Sequence, residues 1–197
     1  TELKEKYGEK RRTQITAAAQ EMEMEDLIAQ EDVVVTFSHA GYVKRLPVDT
    51  YRAQKRGGRG VTGMTTKEED FVEQLFVTDT HAHLLLFTTR GRVYGVRVYE
   101  IPEANRTSRG KAVVNLIALN PDEKVTSAIP VSSFDPVKTK DTSLVLCTRN
   151  GQIKRTALSE FDDIRKAGII AIGLDEGDIL VDVKLADQKR EVLIGTK

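Results

Sequence analysis

The chain has 197 residues, 40% apolar and 30% charged, and its 30 Lys and Arg balance 30 Asp and Glu to a formal net charge of zero. Such a composition predicts a folded, soluble chain with a real core, as one large domain or two small ones, and excludes a disordered polymer. No apolar run is long enough for a bilayer span, the charged N-terminus carries no secretory signal, and a single cysteine excludes a disulfide framework and a zinc–cysteine site.

Residues 1–31 differ in kind from the rest. Glu2-Leu3-Lys4-Glu5-Lys6-Tyr7 combines charge with helix formers, and Gly8 is placed to end it as a C-cap. Arg11-Arg12-Thr13-Gln14-Ile15 reads as an isolated strand or an extended arm. Thr16 to Asp32 holds six acids and reads as a linker with room for a helical turn. The expected boundaries are therefore 1–31 for a tail and acidic linker, and 32–197 for a β domain.

From residue 32 a β pattern repeats. Phe37-Ser38-His39-Ala40-Gly41-Tyr42-Val43-Lys44-Arg45 reads strand, turn, strand, as do Phe87-Thr88-Thr89-Arg90-Gly91-Arg92-Val93-Tyr94 and Cys147-Thr148-Arg149-Asn150-Gly151-Gln152-Ile153-Lys154-Arg155. The turn glycines are spaced 50 and 60 residues apart, and Asn150-Gly151 is a strong hairpin signal because both residues tolerate positive φ. Each hairpin leads to a short segment (Val48 to Tyr51, Tyr99 to Pro102, Leu158 to Phe161), then a glycine-bearing basic stretch and a strand. An acidic turn follows (Glu68-Glu69-Asp70, Asp122-Glu123, Asp175 to Asp178), and then a further strand. A β unit recurring at this period predicts an all-β propeller or other radial array, with about three blades, in which neighbours must stack to bury their sheet faces. A sandwich with accidentally similar hairpins is the competing reading. Val192-Leu193-Ile194-Gly195 resembles the first strand of a fourth hairpin, so the chain is expected to be part of a longer protein with an open edge strand at one or both ends.

Charge is segregated along these repeats. Windows 41–61, 88–111 and 149–166 carry net charges of +5, +4 and +2 against an acidic remainder, so a fold that brings them to one edge would carry a positive stripe. The densest point is Gln54-Lys55-Arg56-Gly57-Gly58-Arg59-Gly60, with three cations, three glycines and no acid. Cations release counterions from nucleic acid, and glycines let backbone N–H groups approach a phosphate. A solvated basic loop is the plainer account of that run. Arg45, Arg92, Arg109 and Lys154 are the further candidate phosphate contacts, whereas Arg90 and Arg149 beside the turns read equally as solvated turn cations.

Other candidates for chemistry are weaker. His81-Ala82-His83 would set two imidazoles on one face of a strand, but no cysteine or third histidine lies near, so surface polar residues outweigh a metal site. Cys147, in the run Leu144-Val145-Leu146-Cys147, reads as a buried, reduced core thiol of a cytoplasmic protein. No Gly-rich loop ends in Gly-Lys-Ser/Thr.

The basic heptapeptide resembles the "gyrase box" of the DNA gyrase A family of type IIA topoisomerases. Tyr51-Arg52-Ala53, Glu68-Glu69-Asp70-Phe71, Gly91-Arg92-Val93-Tyr94, Val113-Val114-Asn115-Leu116 and Lys154-Arg155-Thr156-Ala157-Leu158 are similar to the same family. Leu3-Lys4-Glu5-Lys6-Tyr7-Gly8 and Arg11-Arg12-Thr13 resemble the segment that leaves its coiled-coil tail. Lys55 stands where the family often has arginine, which keeps the charge and loses the bidentate fork. The resemblance implies a C-terminal β-propeller (pinwheel) whose blades exchange strands and whose basic rim wraps double-stranded DNA. It further implies partnership with the rest of the gyrase A protein and with gyrase B in an A2B2 enzyme that supercoils DNA negatively with ATP and Mg2+ held by other domains. The family breaks DNA with a tyrosine assisted by an arginine. None of Tyr7, Tyr42, Tyr51, Tyr94 and Tyr99 has those surroundings, so this chain alone is expected to hold no catalytic residue, metal or cofactor.

Two readings stay open beside this one. The propeller of the topoisomerase IV counterpart of gyrase A generally has a degenerate box, and the intact heptapeptide argues against it. A protein-binding propeller would need aromatic anchors, and aromatics are only 6% of the chain with no Trp.

Overall fold

The computed structural model describes residues 6–7, 24–50, 70–162, 164 and 166–195. The basic heptapeptide, the Arg11–Ile15 arm and most of the acidic linker lie outside them.

The three expected hairpins form where the turn glycines stand. Strands β1 (Asp32–Ser38) and β2 (Tyr42–Pro47), β4 (His83–Thr88) and β5 (Arg92–Arg97), and β8 (Thr142–Thr148) and β9 (Ile153–Ala157) pair antiparallel. Phe37 faces Val43, Phe87 faces Val93 and Cys147 faces Ile153, so the register repeats. Gly41, Gly91 and Gly151 take φ of +81°, +69° and +88° at the turns, which only glycine adopts without strain. Each hairpin ends in a 3-10 turn, at Val48–Thr50, Val98–Glu100 and Leu158–Phe161.

A longer strand closes each repeat on its first strand. β3 (Val72–Asp79) pairs with β1, β7 (Val125–Val131) with β4, and β11 (Leu180–Asp187) with β8. The strand expected in the basic stretch is only two residues long, and it belongs to the preceding blade. β6 (Lys111–Ala112) leaves the second repeat to pair with β2, and β10 (Ile169–Ile170) leaves the third to pair with β5. The sheets therefore run β3-β1-β2-β6, β10-β5-β4-β7 and β11-β8-β9. The first two blades have four strands, the last supplied by the next repeat. Among the described residues the third has three, with β9 at its edge.

Blade stacking makes the core. Leu84 and Leu86 of β4 join Val33, Val35 and Phe37 on one side, while Leu85 and Phe87 join Leu144, Leu146 and Leu180 on the other. A strand buried on both faces needs an unbroken apolar run, which explains Leu84 to Phe87. The β8 run behaves differently. Leu144 and Leu146 are buried, but Val145 and Cys147 are half-buried on the opposite face, so Cys147 is not the core thiol expected. Residues 191–195 form no strand and leave Leu193 99% exposed. A lone strand cannot satisfy its backbone groups, and no neighbour lies beside it among the described residues.

Candidate nucleic-acid interface

All four described rim candidates sit at the edge where strands are exchanged. Arg45 lies on β2, Arg92 on β5 and Lys154 on β9, each on the second strand of its hairpin, and Arg109 lies two residues before β6. The structure thus brings Arg45, Arg92 and Lys154 to the second strand of successive hairpins, at different register positions. It also gives each an internal partner.

Arg45 donates from Nε to the Ile101 carbonyl at 2.7 Å and approaches Glu103 at 3.5 Å. Arg92 donates to the carbonyls of Ala167 and Gly168 at 3.0 and 3.1 Å and from Nε to the Tyr94 hydroxyl at 3.2 Å. Arg109 lies over the Tyr42 ring, 4.9 Å from its centroid. Lys154 donates to the Ala171 carbonyl at 2.7 Å and stays exposed. In each case but Arg109, a cation of the hairpin grips backbone carbonyls of a segment entering or leaving the exchange. Lys111, Lys124, Arg149 and Arg155 are exposed as well, and Arg90 pairs loosely with Asp122 at 3.8 Å.

Two groups that sequence reasoning did not single out complete this edge. Lys44 is fully buried, and its ammonium donates to the carbonyls of Asn105 (3.1 Å), Arg106 and Ser108 (2.9 Å). Burial lowers its pKa below the ordinary lysine range. Tyr94 stands at the same place in the second hairpin, three residues after the glycine, and donates to Glu123 at 3.1 Å. Burial first, and Glu123 after it, raise the phenol's pKa although the Arg92 hydrogen bond opposes them. The signal was present in the repeat: Lys44, Tyr94 and Lys154 share one position, and a long polar side chain there can reach the crossing segment.

The acidic turns cap the hairpins. Asp70 accepts from the Ala40 N–H at 2.8 Å, and Asp178 from the N–H groups of Asn150 (3.0 Å) and Ile179 (2.8 Å). Glu123 accepts from the Thr88 hydroxyl at 2.5 Å and from the Asn120 side chain at 2.9 Å. Burial pushes the Glu123 carboxyl up, and the hydrogen bonds from Thr88, Asn120 and Tyr94 more than offset it, leaving the pKa below the usual range.

The two histidines do not share a strand face, because β4 begins at His83 and His81 lies in the preceding turn. Arg97 organises both, donating to His83 Nε2 at 2.6 Å and to the His81 carbonyl at 3.0 Å. Burial and then the Arg97 charge hold the His83 pKa below its ordinary value. Arg97 also pairs with Glu25 at 3.2 Å, fastening residues 24–28 to the second blade.

Face-stacked sheets, the first two finished by a strand from the next repeat, define a strand-exchanging β-propeller. A family model described as DNA gyrase C-terminal domain, beta-propeller, matches residues 32–79, 82–132 and 142–187, one stretch per blade. The gyrase A protein of Clostridium acetobutylicum is 47% identical over 195 residues, which is 99% of this chain and 23% of that protein. Among solved structures, the C-terminal domain of DNA topoisomerase IV is similar at a TM-score of 0.68 and 31% identity, covering 81% of this chain and 47% of that one. The DNA gyrase A C-terminal domain follows at 0.61 and 26%, covering 80% and 49%. The chain belongs to the DNA gyrase C-terminal domain family, and it spans about a quarter of the length of the curated relative.

Proposed function

We propose that this chain is the DNA-wrapping part of a gyrase A protein, binding duplex DNA along the exchange edges of its blades and bending it. The observation that carries this reading is the similarity to gyrase A proteins along nearly the whole chain. Cations on the second strand of every hairpin support it. Phosphate contacts by Lys and Arg release counterions, and that gain offsets an elastic bending cost of about 1–6 kcal/mol for a modest site. Few base-reading side chains lie in the basic windows, so binding is indifferent to sequence.

Lys55, Arg56 and Arg59, with Gln54, Gly57, Gly58 and Gly60, form the principal contact; Arg45, Arg92, Arg109 and Lys154 extend it. Sequence spacing supports the grouping: Gly60 follows Gly41 by 19 residues, as Gly110 follows Gly91. Residues 1–31 join the propeller to the rest of the gyrase A protein, which assembles with gyrase B in the cytoplasm. Strand breakage, ATP and Mg2+ belong to those other parts, and wrapping gives ATP-driven passage its negative-supercoiling direction.

The test is duplex binding across a salt series, comparing this chain with Lys55→Ala/Arg56→Ala/Arg59→Ala. The expected result is a steep salt slope for the native chain and loss of affinity in the variant, with a slope shallower by roughly 2–3 units. Equal binding by both removes the heptapeptide from the interface. The higher TM-score to the topoisomerase IV domain favours a second reading, a propeller of the topoisomerase IV counterpart. Negative supercoiling by the whole enzyme, as opposed to decatenation without it, decides between them.

A further inference from the structure

We infer that Lys44 is a positioning residue for DNA binding: from a fully buried site it holds the 105–108 loop so that Arg106 and Arg109 of the second repeat are presented at the edge of the first blade. This inference rests on the reading that the exchange edge meets DNA.

The segment from Ile101 to Ala112 reverses direction over β2. On the way in, the Arg45 side chain holds the Ile101 carbonyl at 2.7 Å, and the Arg45 backbone exchanges hydrogen bonds with Pro102 and Ala104 at 3.2 Å each. Glu103 bridges Arg45 in parallel. On the way out, Lys111 pairs with Val43 and Ala112 with Tyr42, antiparallel. Between these stitches the chain turns over one group, the Lys44 ammonium. Its three N–H donors meet the carbonyls of Asn105, Arg106 and Ser108.

The exit from that turn is equally constrained. Gly110 has φ of +86°, and a Cβ there would stand 2.4 Å from the Val43 carbonyl oxygen and 2.9 Å from the Lys44 Cβ. The loop therefore lies against Lys44 along its backbone, while Arg106 and Arg109 stay partly exposed and Lys111 is exposed. Lys44 itself has no accessible surface with which to touch a phosphate. Its influence on DNA must pass through the loop it holds, because convergent charge-assisted hydrogen bonds in a dry site fix backbone position more firmly than exposed ones. The second blade solves the same problem with Arg92 on the carbonyls of Ala167 and Gly168, Tyr94 occupying the place of Lys44.

The experiment uses the whole 197-residue chain with Lys44→Met, Lys44→Gln and Arg106→Ala/Arg109→Ala, and each Lys44 change in the double-alanine background. Amide hydrogen exchange of residues 101–112 without DNA reads the loop; affinity and salt slope on a generic duplex read its consequence. Lys44→Met is expected to lose exchange protection in that segment while β4, β7 and β8 keep theirs. Its duplex affinity falls about 5- to 10-fold and its salt slope by roughly 1–2 units, although no exposed charge has been removed. Lys44→Gln, which keeps two amide donors, recovers part of both and stands in should the methionine variant not fold. In the double-alanine background the Lys44 changes have no further effect on affinity. Unchanged affinity and slope in a loosened Lys44→Met chain, or an equal loss in both backgrounds, overturns the positioning role alone. A native chain that binds without a salt slope, or a double-alanine variant that binds like it, overturns the DNA reading of this edge and this inference with it.

Discussion

The second and third blades are close copies in sequence pattern and unequal in structure. Val93 of β5 and Ile153 of β9 hold the same register position, opposite Phe87 and Cys147. Val93 is fully buried and Ile153 is 57% exposed. The difference is not in the hairpins. The third repeat lays β10 and the residues after it across the second blade, and among the described residues nothing does so for β9. Burial in this architecture is delivered by the next repeat, so each unit's stability is partly its neighbour's, as in other quasi-linear arrays.

The largest test of that contrast is Val93→Ala against Ile153→Ala. Loss of buried methyl groups at Val93 is expected to cost about 2–3 kcal/mol in urea unfolding, and the change at Ile153 under about 0.5 kcal/mol. Equal costs would mean that the exchange contributes little. A second comparison isolates the covering segment itself. Gly91 and Gly151 occupy the same turn with positive φ, so alanine meets similar backbone strain in both. At Gly91 a Cβ would also stand 2.5 Å from the Ile172 carbonyl oxygen, whereas at Gly151 nothing lies within 4 Å. Gly91→Ala should therefore cost about 1–2 kcal/mol more than Gly151→Ala.

Hairpins, their turn glycines, the short segments after them and the acidic turns were legible in the sequence because each depends on a few adjacent residues; that those segments are 3-10 turns was not. The exchange was not readable from the residues alone, since a two-residue strand such as Lys111–Ala112 carries no periodicity. Its partner choice rests on contacts far along the chain, as between Ile169–Ile170 and β5, where Ile169 pairs with Val93 and Ile170 with Arg92. The resemblance to a strand-exchanging family supplied that expectation. The cations were legible as a recurrence and less so as individuals. A charge count cannot separate the exposed Lys111 from the buried Lys44, because the distinction is made by carbonyls of another repeat. Cys147 shows the same limit from the apolar side: the Leu144 to Cys147 run reads as core, but that face of β8 is only partly covered.

The smallest effect is expected where the two blades agree. Glu123 and Asp178 both cap their hairpin turns, and both titrate below the ordinary carboxyl range. In each, burial raises the pKa and is outweighed: at Glu123 by hydrogen bonds from Thr88, Asn120 and Tyr94, at Asp178 by those from Thr148, Asn150 and Ile179. A carboxyl whose folded pKa is lowered binds fewer protons folded than unfolded. Its stabilising contribution is then complete above the unfolded pKa and lost as pH falls through the folded one. Glu123→Gln keeps an acceptor, so at neutral pH it should cost about 1 kcal/mol. Thermal melts taken from neutral pH into the acid range should show this cost shrinking as the native carboxyl protonates. Asp178→Asn should show the same sign in the uncovered blade, in a window set from the lower ordinary pKa of aspartate. A cap formed within one repeat gains nothing from the neighbour, so a window found only at Glu123 would assign the acidic turn to the exchange rather than to the hairpin.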